Sequence, residues 1–204
     1  MKSPTLACEA VAASAEFRHL DSIAGIRVGL RYATPDNFVG RDLYSPLDCA
    51  WLHRDAAAAL EQAVAALAAR RPGHALLVLD ALRPQRVQVQ LWNALQGSAL
   101  LGYLAEPGRG SIHSFGMAVD VTLADPAGRE LDMGTGFDDL SERSHPALEA
   151  QLLARGQISR EQVGNRQLLR AVMNHAGWVG IPNEWWHFDC GDRVLVRSNY
   201  MRVL

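Results

Sequence analysis

The chain has 204 residues, 49% of them hydrophobic and 21% charged. That is the ordinary mixture of a globular protein, which excludes disordered, collagen-like and coiled-coil classes. The formal charge is −2, and the 20 Lys and Arg residues are scattered rather than striped, so the expectation is no nucleic-acid partner and no membrane partner.

The first fifteen residues are rich in alanine, but Pro4 and Glu9 interrupt them before the apolar run of a signal peptide forms. A cytoplasmic protein is expected. Residues 1–20 read as a loosely packed lead to a single domain covering 1–204. Cys8, Cys49 and Cys190 are odd in number and widely spaced, which suits small buried hydrophobes better than a disulfide framework.

The alternation in Ile26 to Tyr32 predicts a half-buried strand with Tyr32 at its end, followed by turn chemistry at Pro35-Asp36-Asn37. From Asp55, which can cap the first turn, Leu60, Val64 and Leu67 recur at helical spacing until Pro72-Gly73 stops the helix. Ala75 to Leu79 reads as a buried strand. Pro84 opens a helix to about Gln96, which puts Arg83 on a strand-to-helix junction. After a Gly- and Pro-bearing loop, Met117 to Leu123 forms a strand with Val119, Val121 and Leu123 on one face and Asp120 on the other. Helices follow over about 146–154 and 160–176, with Gly177 as a C′ cap, and an aromatic strand spans about 184–189. The fold class predicted is α+β, with a central, mainly antiparallel sheet flanked by helices.

Chemistry concentrates in two short segments, His113 with Asp120 and Glu184 with His187. Taken alone, each has an ordinary explanation, since a histidine beside tryptophans is usually a hydrogen-bonded core residue. Asp120 is harder to dismiss: a carboxylate among apolar strand residues costs several kcal/mol unless it is paired or binds a metal. Ser114 and Gly116 allow a bend that brings His113 toward it, and Pro182-Asn183 suggests a turn that turns Glu184 the same way. Two histidines and a carboxylate suit a catalytic zinc ion, with the second carboxylate, Glu184, as a fourth ligand or a general base. Arg83 is the candidate for stabilising a developing oxyanion, against an ion pair with Asp80 at the surface.

SIHSFGMAVDVT and EWWHF resemble the Ser-x-His-x-x-Gly-x-Ala-x-Asp and Glu-x-x-His signatures of the zinc D,D-peptidases. DALRPQR, RYATPDNFVG and MGTGFDDLSERSH resemble more specifically the VanX-type D-alanyl-D-alanine dipeptidases, and the five segments run in order from about residue 31 to 188. The resemblance implies one zinc ion on the sheet, held by His113, Asp120 and His187. It implies Glu184 as the general base, Arg83 as the group that stabilises the tetrahedral intermediate, and a small D,D-dipeptide as substrate. Asp138 would meet the substrate ammonium group, with Ser111 and Tyr32 helping to recognise its polar ends. Without the resemblance, Asp138 reads as a helix cap, Ser111 as a loop serine and Tyr32 as a strand tyrosine.

Phe115 and the short loop 98–110 depart from the family pattern, both near the expected pocket mouth. Two alternatives remain at this point. One is a D,D- or L,D-carboxypeptidase acting on longer peptidoglycan stems. The other is a non-catalytic zinc-binding module that keeps the metal for stability or uses the Trp185/Trp186 surface to hold a partner.

Overall fold

The computed structural model describes residues 4–204; Met1–Ser3, the start of the expected lead, lie outside them. The strands are β1 (Thr5–Leu6), β2 (Phe17–His19), β3 (Ile26–Val28), β4 (Trp51–His53), β5 (Ala75–Asp80), β6 (Ala118–Ala124), β7 (Trp178–Ile181), β8 (Glu184–Cys190) and β9 (Arg202–Val203). The helices are α1 (Arg54–Arg70), α2 (Gln85–Ala94), α3 (Glu149–Ala154), α4 (Arg160–His175) and α5 (Arg193–Asn199). No helix among the described residues is long and apolar enough to cross a membrane.

Five strands form the central sheet in the order β3-β5-β6-β8-β7, antiparallel except for the β3–β5 pair. Alternation along β6 sorts its side chains. Val119, Val121 and Leu123 join Leu60, Ala63 and Leu67 of α1 and Leu169, Val172 and Met173 of α4 in the main core, while Asp120 points to the other face. A second cluster, including Tyr32, Tyr44, Leu82, Val87 and Leu91, packs α2 and the N-terminal third together.

Several expectations change. The strand predicted over 26–32 stops at Val28, and Tyr32 lies instead in a 3-10 turn, Arg31–Ala33, where it is 1% exposed. Residues 5–20 are not loosely packed: Cys8, Val11, Phe17 and Leu20 are buried, and β1 pairs with β9 while β2 pairs with β4. Burial of those apolar side chains outweighs the loose look of the alanine-rich composition. The first long helix begins at Arg54, so His53 rather than Asp55 is its cap and accepts the Asp55 N–H at Nδ1, 3.2 Å away. Asp55 then sits inside the first turn, where its charge still favours the helix dipole. Cys8 and Cys49 are buried free thiols, and Cys190 is a half-buried one.

Phe115 does not reach the pocket mouth: it is 1% exposed and belongs to the main core. Trp185 and Trp186 are equally unable to offer a partner surface, being 5% and 1% exposed. Both instead brace the loop that carries Asp138. Trp185 Nε1 donates to Thr135 Oγ1 at 2.8 Å, and Trp186 packs on Phe137, which also meets the Tyr32 ring.

Candidate active site

Strand register builds the floor of the site. Asp80 pairs with Asp120 across β5 and β6, and Asp120 pairs with His187 across β6 and β8, so the three stand in a row. Two carboxylates side by side would repel. Arg83 lies between them: its Nε donates to Asp80 Oδ2 at 2.8 Å and its Nη2 to Asp120 Oδ2 at 3.2 Å. Gln88 accepts from Nη1 at 3.3 Å, and the guanidinium sits 5.0 Å from the centre of the Tyr32 ring. The Tyr44 hydroxyl donates to the other oxygen of Asp80. Burial opposes the Arg83 charge, but Asp80 and Asp120 outweigh it and hold the pKa well above its usual value. The surface ion pair with Asp80 is thus corrected in one respect: the partners are right, but both are buried, at 6% and 0% exposure.

His113 arrives by the expected bend. Ile112–Phe115 make a 3-10 turn that Ser111 caps, its Oγ accepting from the His113 N–H at 3.3 Å, and Gly116 ends the turn at φ 64°. A side chain at Gly116 would put its Cβ 2.6 Å from the His53 backbone nitrogen, so glycine is required by space as well as by φ. His113 Nδ1 lies 2.8 Å from the Ala81 carbonyl, which directs Nε2 toward Asp120 and His187.

Nε2 of His113 is then 3.2 Å from His187 Nδ1 and 3.4 Å from Asp120 Oδ1, and His187 Nδ1 is 3.0 Å from the same oxygen. The three donor atoms lie within 4.8 Å of one another, a set that could hold a metal ion. Behind it, His187 Nε2 meets Asp189 Oδ1 at 3.0 Å, and Arg193 Nε donates to Asp189 Oδ2 at 2.5 Å. Burial raises the cost of a charge on Asp120, yet His113 and His187 pull its carboxyl well below the usual range. Burial likewise disfavours a charged His187, but Asp189 and Asp120 raise its pKa well above normal.

The remaining predicted residues converge on the same space. A cavity of about 370 Å³ is lined by Tyr32, Arg83, Ser111, His113, Asp120, Asp138, Glu184 and His187. Glu184 opens β8 directly after the expected turn at Pro182-Asn183, beside a register irregularity at Gly180/Ile181. Burial pushes its pKa up to about 7. Asp138 is not a helix cap: the neighbouring Asp139 accepts the Ser141 N–H instead. Asp138 adopts φ 60°, accepts from the Tyr32 hydroxyl at Oδ1 (3.1 Å), and leaves Oδ2 buried without a hydrogen bond. Burial, with Asp120 adding to it, raises its pKa to about 8.

Asp189, Arg193 and Tyr44 were not singled out by the sequence. For Asp189 a signal existed, since it is two residues after His187 on one strand and so shares its face. Cys190, the other conceivable ligand there, is not in the donor group.

Residues 13–203 match the sequence pattern of the D-ala-D-ala dipeptidase family of peptidases. A D-alanyl-D-alanine dipeptidase of Escherichia coli is 40% identical over 164 residues, covering 80% of this chain and 78% of that protein. One from Enterococcus faecium is 33% identical over 208 residues, covering 90% and 96% respectively. One from Synechocystis is 32% identical over 165 residues, covering 66% and 67%. With the match running through both segments that build the cavity, the chain belongs to the D-ala-D-ala dipeptidase family.

Proposed function

We propose that the chain is a zinc-dependent dipeptidase that hydrolyses the peptide bond of D-alanyl-D-alanine or a closely related D,D-dipeptide. The observation that carries this reading is the meeting of the His113, Asp120 and His187 donor atoms with Arg83, Glu184 and Asp138 around one cavity. The donors fit zinc: two ring nitrogens and a carboxylate oxygen crowd together at 3.0 to 3.4 Å, a cluster that asks for a cation between them. Two histidines and a carboxylate match catalytic zinc sites, which keep a position open for water or substrate.

A zinc ion there would supply a Lewis acid that polarises the scissile carbonyl and acidifies water. Glu184, with a pKa raised to about 7, takes the proton of the attacking water and delivers it to the leaving amine. Arg83 cannot lose its charge, and it faces the oxyanion that develops on the carbonyl. Asp138 holds the substrate ammonium with its enclosed Oδ2, and the Tyr32 hydroxyl keeps that carboxylate oriented. Ser111 lines the cavity beside His113 and offers its hydroxyl to the substrate's polar end.

The test is turnover on a panel of D,D-, L,D- and L,L-dipeptides together with an N-acetylated D,D-peptide. D-Ala-D-Ala should be cleaved, a chelator should abolish turnover and added zinc should restore it. Glu184→Ala should reduce kcat by about 10²- to 10⁴-fold. A fully active Glu184→Ala variant overturns the base, and equal cleavage of the acetylated peptide moves the protein to the carboxypeptidases.

A further inference from the structure

We infer that Asp80 and Tyr44 are positioning residues for the reaction: they fix the plane of the Arg83 guanidinium so that one of its N–H groups stays open for the developing oxyanion. This rests on the dipeptidase reading and deepens it. Arg83 lines the cavity, whereas Asp80 and Tyr44 do not, so both act through it.

Asp80 owes its place to an irregularity in the sheet. Leu76 pairs with Leu123 and Val78 with Val121, all of them in the main core. Continued at that register, Asp80 would stand opposite Val119, a core residue as well. The register shifts between Val78 and Asp80, and Asp80 stands opposite Asp120 instead. Irregularities of this kind re-aim a side chain. This one takes a carboxylate out of the apolar core and sets it, 0% exposed, against Arg83.

Tyr44 then divides the two oxygens of Asp80. Its hydroxyl donates to Oδ1, so Oδ2 faces the guanidinium, 2.8 Å from Nε and 2.6 Å from Nη2. Tyr44 is itself fixed. It is 1% exposed, its backbone N–H donates to Asp42 Oδ1 at 2.8 Å, and its ring meets the Tyr32 ring edge-on at 6.0 Å. The guanidinium lies over that same Tyr32 ring.

A guanidinium has five N–H groups. Asp80 faces Nε and one N–H of Nη2, Asp120 accepts the other at 3.2 Å, and Gln88 accepts one N–H of Nη1 at 3.3 Å. One N–H of Nη1 is left. Its direction follows from the plane, which Asp80 holds at one edge and Asp120 and Gln88 at the other. Simple neutralisation of Arg83 by Asp80 would need neither Tyr44 nor a fixed oxygen. Support of the donor triad falls elsewhere too: His113 Nδ1 is 3.6 Å from Asp80 Oδ2 but 2.8 Å from the Ala81 carbonyl.

The experiment measures turnover of D-Ala-D-Ala by zinc-loaded Tyr44→Phe and Asp80→Asn, each alone and combined with Arg83→Lys. Zinc affinity is read by chelator competition, and hydrogen exchange of the Arg83 Nε–H by NMR in the metal-free protein. In Tyr44→Phe kcat should fall about 10-fold, and in Asp80→Asn about 10²-fold, with KM and zinc affinity within about 2-fold of the parent. The Nε–H should exchange about 10-fold faster in both variants. On Arg83→Lys, which has no plane to fix, adding Tyr44→Phe should cost less than about 2-fold. A merely structural role would lower the melting temperature and leave kcat and the Nε–H exchange of the folded protein unchanged. Tyr44→Phe keeps every buried charge, so the test stands even where Asp80→Asn fails to fold. A kcat or an Nε–H exchange in Tyr44→Phe within about 2-fold of the parent, or a loss that persists in full on Arg83→Lys, overturns the inference. So does a loss carried by weaker zinc binding. A parent protein without turnover overturns the dipeptidase reading instead, and the Nε–H exchange then still decides whether Tyr44 and Asp80 hold Arg83.

Discussion

The two walls of the cavity are finished to different degrees. On the wall built from β6, β8 and the 3-10 turn at 112–115, each donor is held from behind: His113 by the Ala81 carbonyl, His187 by Asp189, Asp120 by Arg83. On the facing wall Asp138 keeps a buried oxygen without a hydrogen bond. The electrostatics of the two aspartates follow the same division, for the Asp120 carboxyl is held low by its histidines, whereas Asp138 is pushed up to about 8 by burial. Folding alone orients the donors of the first wall. In the proposed reading the second is completed by the substrate, so substitutions on the two walls should separate in what they damage.

Arg83 spans Asp80 and Asp120 and still faces the cavity, which makes it the strongest test. A lysine keeps the charge but lacks the planar fork that can hold two carboxylates and present a further donor. Arg83→Lys should lower kcat by about 10²- to 10³-fold while the chain remains folded. Steady-state kinetics with a thermal melt decide it. A kcat within a few-fold of the parent would reduce Arg83 to neutralising the two aspartates.

Asp189 tests the support of the first wall with a smaller effect. Asparagine in its place removes the charge behind His187 and leaves Arg193 without its ion pair. Asp189→Asn should weaken zinc binding by about 10- to 100-fold, read by competition with a chromophoric chelator. Unchanged zinc affinity would mean that the His187 ring is oriented by its strand alone.

How much of this was legible in sequence depends on how local each cause is. The long helix α1, the strands around Leu76 and Val121, and the junction at Arg83-Pro84 follow from periodicity and proline geometry within a few residues. Asp120 announced itself as a carboxylate in an apolar strand. Its place opposite His187 was not legible, because that is set by the register of two strands 67 residues apart in sequence. Strands of two or three residues, such as β1, β2 and β4, are too short to show a period, so the packing of the N-terminal third was missed along with them. Asp138 needed the family resemblance, since its φ of 60° and its enclosed oxygen depend on Phe137 packing against Tyr32 and Trp186.

Asp138 also carries the smallest effect and the one with the opposite sign. Its folded-state pKa, about 8, lies above the unfolded value near 3.9. Between these limits the folded state binds a proton that the unfolded state has released, so the carboxyl contributes stability at low pH and that contribution is lost as pH rises toward 8. Asn has nearly the same shape, tolerates the left-handed backbone and does not titrate. In metal-free protein Asp138→Asn should therefore match the parent near pH 4 and exceed it by about 1–2 kcal/mol at pH 8, while KM for the dipeptide rises. Denaturant melts at the two pH values measure this. An asparagine variant that is less stable at pH 8 would show a carboxylate satisfied by folding alone, placing Asp138 with the first wall and erasing the distinction between the two.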